Sequence, residues 1–586
     1  MPSPAPALMP LLLAQLLAPS VQPGPVRLPG GPAPPAGPAS SPIPSKSSPL
    51  ILPSPAPDRP LPAPPNQVPS APNTDQIKSQ DRKSPPQPAS FLPRVEGLTL
   101  YDQAELERTL QPCLLEPPAD RLSRCAALLS SRLVADGYIN TRVFPQTEPA
   151  PEGSLLVVEG RIVEVRVSSP DRALQRRLQR LVLPLQGQVL HLPSLQRALN
   201  QLEQFPGVGS LTASLNRLGG DSTKAVLELQ AQSASRPLAG DFSLRNDGSG
   251  GSGQFRGVSV LAKGGLLRQS DQLLLVGELN STDAPQLGYR TVSLSYRFPL
   301  SDRASLTTAA AASWRQLVES PAPFNNLNFR QQQLLGQLDY TFHEGLRQRF
   351  SAYAGLSANR NSAWLDGERF PAILGGADTG ALSTGFLQIG LAWDAAFSTL
   401  NLNGRLYGLQ GLAGFSGNQA LQELAFFGIN VGQARALGGE LNALWPFAPN
   451  WQLQLRGAGQ VALNPLTNPM GFSLGSDNGL RGLPGQVISG DNGWLASGEL
   501  SWAFWRKGTH ELQLVPFLGG GWVSTTVQNS TDSSSLGAGG LLLRWLQGRH
   551  WAAELGWATQ FGDDLPTGDT NLLIDNGLYT KLSYRF

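Results

Sequence analysis

The sequence predicts a mixed fold, with two small α/β domains followed by a 16-stranded antiparallel transmembrane β-barrel. Three observations predict it. The chain of 586 residues is only 15% charged and 40% hydrophobic. Yet no run of eighteen apolar residues follows the first twenty positions, so a helical membrane protein is excluded. The second half alternates apolar and polar residues at period two, and its connections alternate between short and long. Half-apolar strands of low charge without a helical span are what a membrane barrel requires.

Composition divides the chain. Of the 51 prolines, 28 lie in residues 1–93, whereas all 12 tryptophans follow residue 313 and both cysteines precede residue 126. Residues 1–18 contain a short apolar stretch, Leu8 to Leu17, that fits the core of a signal peptide. Residues 19–93 are rich in Pro, Ala and Ser without hydrophobic periodicity and read as an extended linker. Residues 94–238 are ordinary globular sequence. Leu122, Cys125, Ala126, Leu129 and Leu133 share one helix face, with Asp120 as N-cap and Gly137 beyond the end. A second helix starts at Ser194 and carries Leu195, Ala198, Leu199 and Leu202. The order strand–helix–helix–strand–strand occurs twice, which gives two domains, 94–164 and 165–238.

Residues 239–586 form the barrel. Trp451, Leu453, Leu455, Val461 and Leu463 occupy one face of a strand, against Gln452, Gln454, Arg456 and Gln460 on the other. Trp494, Leu500, Trp502 and Phe504 oppose Ser497, Glu499 and Ser501. Ten to twelve residues at period two suit tilted membrane strands. Short turns are expected at 299–302, 343–345, 446–449 and 506–508. Long loops are expected at 315–331, 358–384, 410–431, 463–493, 520–534 and 561–575. Short turns at one end and long loops at the other are the outer-membrane arrangement. On this register Arg405, Arg456, Glu499, Glu511, Arg544 and Glu554 face a wet lumen. The last strand ends with Leu582, Tyr584 and Phe586 on one face, resembling the terminal signal that barrel-assembly machinery reads.

Several functions are excluded or left without support. Lys+Arg (45) and Asp+Glu (43) nearly cancel, so no basic field argues for nucleic acid. Two cysteines and four scattered histidines leave little for a metal cluster. No Ser-His-Asp set assembles and no phosphate loop is present, so neither an enzyme nor a cofactor is expected. Cys113 and Cys125 are twelve residues apart in a compartment that permits disulfides; they are either bridged or two buried thiols.

With these residues in place the chain resembles the two-partner secretion transporters (TpsB), the haemolysin activator ShlB/FhaC/HecB type, within the superfamily of barrels that carry POTRA domains. Residues 137–143 resemble the family's first-POTRA stretch, Val158 to Ile162 its E-G-x-I junction, and Gln204 to Val208 its turn after the second POTRA helix. Asn246, Gly248 and Gly253 resemble the first barrel hairpin. Leu480-Arg481-Gly482-Leu483 resembles the V-R-G-[YF] tip of the family's long loop, which folds into the barrel so that its Arg meets a lumen carboxylate. The family's acid position in strand thirteen is Gly519 here, and parity offers Glu499 on the neighbouring strand as the partner of Arg481.

The resemblance implies an outer-membrane transporter with its POTRA domains in the periplasm. It would secrete a large exoprotein that carries an N-terminal secretion domain. Two other readings stay open, a barrel-assembly insertase of the same superfamily and a passive porin-like channel. Outer-membrane lipid, lipopolysaccharide and the barrel-assembly machinery are the other expected partners, and a monomer is expected. No plug helix is placed in residues 20–93, because proline breaks helices; the loop at 463–493 alone is expected to block the pore.

Overall fold

The computed structural model describes residues 92–586 except 148–152, 204, 206, 234–237, 249–250, 268–270, 283–285, 319–325, 377–378, 398, 486–487, 528–529 and 564–572. The expected signal peptide and nearly all of the expected linker lie outside the described residues, as do Gln204 and Pro206. The chain divides into two compact units, with the boundary in the sequence between Ala234 and Ser235.

The N-terminal unit contains the same α/β motif twice. In the first, β1 (Arg94–Glu96), α1 (Gln103–Leu110), α2 (Pro118–Ala135), β2 (Arg142–Gln146) and β3 (Ser154–Val158) give a sheet of order β1-β3-β2. In the second, β4 (Arg161–Ser168), α3 (Arg172–Val182), α4 (Leu192–Glu203), β5 (Val208–Leu218) and β6 (Asp221–Ser233) give β4-β6-β5. In both, the first strand pairs parallel with the last, and the middle strand in sequence lies antiparallel at the edge.

The helices bury the faces their sequences mark. Leu129, Leu133, Leu110 and Cys125 of the first motif pack with Leu155 and Val157. Leu174, Leu178 and Leu202 are buried in the second. α2 begins two residues before Asp120, with Pro117 at the cap, and Asp120 instead supplies negative charge to the first turn. α4 begins at Leu192 rather than Ser194, whose hydroxyl bonds His191 Nδ1. Asp102 caps α1 by accepting from the Glu105 amide at 2.7 Å. Tyr101 donates to Asp136 at the far end of α2, and burial together with that carboxylate pushes its phenol well above the usual range. The expected domain division at 164/165 falls inside β4. The sheets change over instead at Gly160, whose amide donates to Thr141 Oγ1, while Asn140 donates to the Thr223 carbonyl. Leu92, expected in the linker, packs against the first core.

The second unit is the barrel. Its strands are β7 (Ala239–Arg245), β8 (Phe255–Gly264), β9 (Gln272–Ser281), β10 (Leu287–Pro299), β11 (Ala304–Gln316), β12 (Leu327–Glu344) and β13 (Gln348–Leu365), then the two-residue β14 (Glu368–Arg369). There follow β15 (Ala381–Ala396), β16 (Asn401–Leu412), β17 (Arg435–Ala448) and β18 (Trp451–Ala462). Two short strands, β19 (Phe472–Leu474) and β20 (Ile488–Gly490), pair only with each other. The wall is completed by β21 (Asn492–Lys507), β22 (His510–Val527), β23 (Ser530–Gln547), β24 (Trp551–Gly562) and β25 (Leu578–Arg585). Setting aside β14, β19 and β20, sixteen strands among the described residues close into one antiparallel barrel, with β25 returning to β7.

The alternation points outward as its composition demands. Leu455, Val461, Trp494 and Leu406 are exposed on the outer face, where lipid replaces water. Trp451 and Trp502 stack across neighbouring strands at 5.4 Å, an aromatic pair suited to a membrane interface. Glu511, Arg544 and Glu554 are buried on the inner face, and Arg405 lies opposite Glu440 in register.

The loop expectations need correction at three places. Residues 520–534 are not a long loop, because β22 and β23 have 18 residues each and pair from His510↔Gln547 to Val527↔Ser530. The segment is rich in Ser and Thr, so it shows no apolar face. Beyond the lipid a ladder needs none, since backbone pairing suffices. β12 and β13 likewise extend into the expected loops at 315–331 and 358–384.

Candidate functional site

The long connection between β18 and β21 turns inward. Its short hairpin, β19 with β20, stands beside β21 and β22, and Phe472, Leu474, Leu480 and Leu483 bury against Leu495, Val523, Leu536 and Ala538 of the wall. A separate inner cluster accounts for a run that alternation cannot: Leu541-Leu542-Leu543 is apolar throughout because Leu541 and Leu543 face outward while Leu542 is buried inside with Phe517 and Val515. Each fully buried loop leucine contributes on the order of 1.5–3 kcal/mol of apolar transfer.

Arg481 sits at the tip. Its Nε and Nη2 donate to Glu499 Oε1 and Oε2 at 2.8 and 3.2 Å, a two-pronged contact. Nη1 donates to Glu554 Oε2 at 2.7 Å and to the Tyr579 hydroxyl at 3.1 Å. Arg544 completes the group. It donates to Glu554 Oε1 at 2.8 Å and ion-pairs with Glu499 at 3.5 Å. Two arginines therefore alternate with two glutamates, drawn from the loop and from β21, β23 and β24. Ser501 and Gln513 accept further bonds from Arg544.

The neighbours of Arg481 hold the turn. Gly482 has φ +85°, and a Cβ there would stand 2.8 Å from the Ala558 methyl. Its carbonyl accepts from Gln560 at 3.1 Å. Leu480 explains the missing acid of strand thirteen, since a Cβ on Gly519 would come within 3.1 Å of its methyl and 2.8 Å of Ser497 Cβ. A side chain at 519 and Leu480 compete for one volume. The carboxylates come instead from β21 and β24.

The structure brings together Leu480, Arg481, Gly482, Leu483 and Glu499. It adds Glu554, which parity places in the lumen but nothing in the sequence links to residue 481. It also adds a second anchor of the loop. Asp477 forms a close ion pair with Arg256 of β8, whose other side meets Glu278 at 2.7 Å, and Ser476 donates to Asp247 at 2.9 Å. Cys113 and Cys125 are disulfide-bonded, tying the turn after α1 to α2 within the first core. Leu582 and Phe586 face outward; Phe586 exchanges backbone hydrogen bonds with Gly240 and stacks on Phe242 and Tyr584.

A closed sixteen-strand barrel with an apolar exterior and an inward-folded loop, preceded in the sequence by two small α/β motifs, defines the class: an outer-membrane β-barrel transporter. A family model described as haemolysin secretion/activation protein ShlB/FhaC/HecB matches residues 223–542, and the chain belongs to that family, the TpsB transporters. It is 24% identical over 503 residues to the outer membrane transporter CdiB of Escherichia coli, covering 80% of this chain and 76% of that protein. A second CdiB, from Escherichia coli O6:K15:H31, is 23% identical over 509 residues, with the same coverage. The solved structure of CdiB from Escherichia coli superposes with TM-score 0.54 at 17% identity, covering 87% of this chain and 93% of that one, a likeness of fold.

Proposed function

We propose that this transporter secretes a large, unfolded partner exoprotein through its barrel, the two α/β motifs acting as POTRA domains that capture it in the periplasm. The observation that carries the reading is a sixteen-strand barrel whose lumen is occupied by a loop fastened at its tip by side-chain ion pairs, a closure that can be withdrawn. Each small sheet also has an outer strand paired on one side only, β2 and β5, and such edges accept an extended chain by strand addition. Folding of the cargo outside would supply the driving force. The transporter acts as a monomer in contact with lipid and lipopolysaccharide. Its own insertion is directed to the barrel-assembly machinery by Leu582, Tyr584 and Phe586.

The test is secretion of a co-expressed exoprotein bearing a two-partner secretion domain. The full chain should release it to the medium, and a chain lacking residues 94–233 should retain it in the periplasm while keeping a folded barrel. Secretion unaffected by the deletion would make the barrel a passive channel. Failure to secrete together with loss of other outer-membrane barrels on depletion would make it an insertase.

A further inference from the structure

Three arginines interrupt the apolar exterior of the barrel along one stretch of its wall. Arg290 of β10, Arg330 of β12 and Arg360 of β13 are all exposed. Side chains alternate across a strand, and each arginine shares its parity with lipid-facing residues: Arg290 with Val292 and Leu294, Arg330 with Leu334, Arg360 with Leu356. All three therefore stand on the outer face, two to four residues beyond the apolar band. They lie at the strand ends that carry the long connections, from β11 to β12 and from β13 to β15, which is the extracellular side.

Register gathers them. Arg290 faces Trp314 of β11, and Trp314 faces Arg330 in turn. Both guanidinium carbons lie over the Trp314 ring, 5.4 and 5.6 Å from its centroid. Arg330 faces Ser362 and Gln332 faces Arg360, so Arg330 and Arg360 are diagonal neighbours about 7–8 Å apart. Among the described residues none of the three joins an ion pair. Trp314 engages two guanidinium groups through their faces, which leaves their N–H edges free to donate.

The outer wall of a membrane barrel is covered by lipid, whereas an exported chain passes inside it, so this patch meets headgroups. Clustered guanidinium groups at headgroup height match phosphate, which they bind in a two-pronged manner. We infer that Arg290, Arg330 and Arg360, with Trp314 between the first two, bind the phosphate groups of an outer-leaflet glycolipid, the phosphorylated end of lipopolysaccharide. The inference rests on the lipopolysaccharide contact proposed above and assigns it to one face of the wall. Elsewhere the same rim is differently made: Val461 of β18 and Phe561 of β24 face outward, and Arg435 of β17 donates to Gln410 at 2.6 Å. Glycolipid would be held tightly along β10–β13 and loosely around the rest.

The test titrates the full-length protein in detergent with diphosphoryl lipid A and reads the dissociation constant by native mass spectrometry. A triple variant, Arg290→Gln with Arg330→Gln and Arg360→Gln, should bind about tenfold or more weakly through loss of charge-assisted bonds. Arg435→Gln should bind as the wild type does. Lipid A stripped of its phosphates should bind wild-type protein as weakly as the triple variant binds the intact lipid. Inorganic phosphate at the same concentration should not compete. Wild-type affinity in the triple variant, an equal loss in Arg435→Gln, or undiminished binding of the stripped lipid overturns the site. Competition by inorganic phosphate overturns the lipid as its occupant. Wild-type protein that does not bind lipid A at all overturns the contact reading beneath it, an outcome distinct from binding that the triple variant retains. If the triple variant gives no compact band in unheated gels, Arg330→Gln alone serves. It should bind about threefold more weakly, and an unchanged constant overturns the site equally.

Discussion

Glu554 and Glu499 both receive Arg481, but their removal should not be equivalent. The Glu554 side chain is 3% exposed and touches two arginines at 2.7 and 2.8 Å. The Glu499 side chain is 17% exposed and makes its closest contact to Arg481 alone. Glu554→Gln leaves two guanidinium groups sharing one carboxylate, in the drier half of the cluster. Breaking a buried pair from one side costs about 3–5 kcal/mol. A partly solvated charged hydrogen bond is worth about 1.5–3 kcal/mol, so Glu499→Gln should fall at or below that. The assay is the urea midpoint of the compact, heat-modifiable form in lipid, read on unheated gels, with Arg481→Met added to each variant. Glu554→Gln should shift the midpoint more than Glu499→Gln does, and Arg481→Met should be nearly silent once Glu554 is gone. Equal shifts, or strict additivity with Arg481→Met, would refute the four-membered arrangement. The same geometry changes what a charge swap can show. Exchanging Arg481 with Glu499 would set a glutamate against Glu554, so that swap is not expected to restore the wild-type midpoint.

Three further outcomes follow from the same contacts. Gly482→Ala combines a left-handed backbone with a clash against Ala558, and should destabilise the inward loop by about 1–3 kcal/mol, seen as faster proteolysis within 476–485. Gly519→Asp restores an acid at the family's usual position, yet it should weaken closure rather than strengthen it because its Cβ displaces Leu480; increased conductance checks this. Replacing both Cys113 and Cys125 by Ser should cost the first α/β motif about 2–4 kcal/mol while leaving the urea midpoint of the barrel unchanged, as the two units share no residues.

Much of this architecture was legible because lipid outside and water inside impose period two on every wall strand. The same parity put Glu499 and Glu554 in the lumen. Parity says which face a residue takes, but not its height along the barrel, and height is what brings residue 554 to residue 481. Leu480 and Leu483 read as departures from a family motif; their reason, an apolar inner wall on β22 and β23, exists only once the loop lies against it. Ends beyond the lipid were invisible for a physical reason as well. Ser and Thr at 524–535 pair through the backbone without any apolar signal. The junction at Gly160 is marked by the resemblance of Val158 to Ile162, yet the division at 164/165 overshoots it, because only two residues separate β3 from β4 although they belong to different sheets. The pairing of Asp477 with Arg256 lies across more than two hundred residues, and no spacing rule connects them.

The central claim is that a closed membrane barrel is stoppered from within by its own loop. Single-channel recording in planar bilayers tests it most directly, comparing the full chain with one in which residues 476–485 are replaced by a short Gly/Ser turn. The full chain should be closed or briefly flickering at low conductance, and the replaced chain should hold a large, steady open level. Indistinguishable traces from two folded proteins would contradict the account.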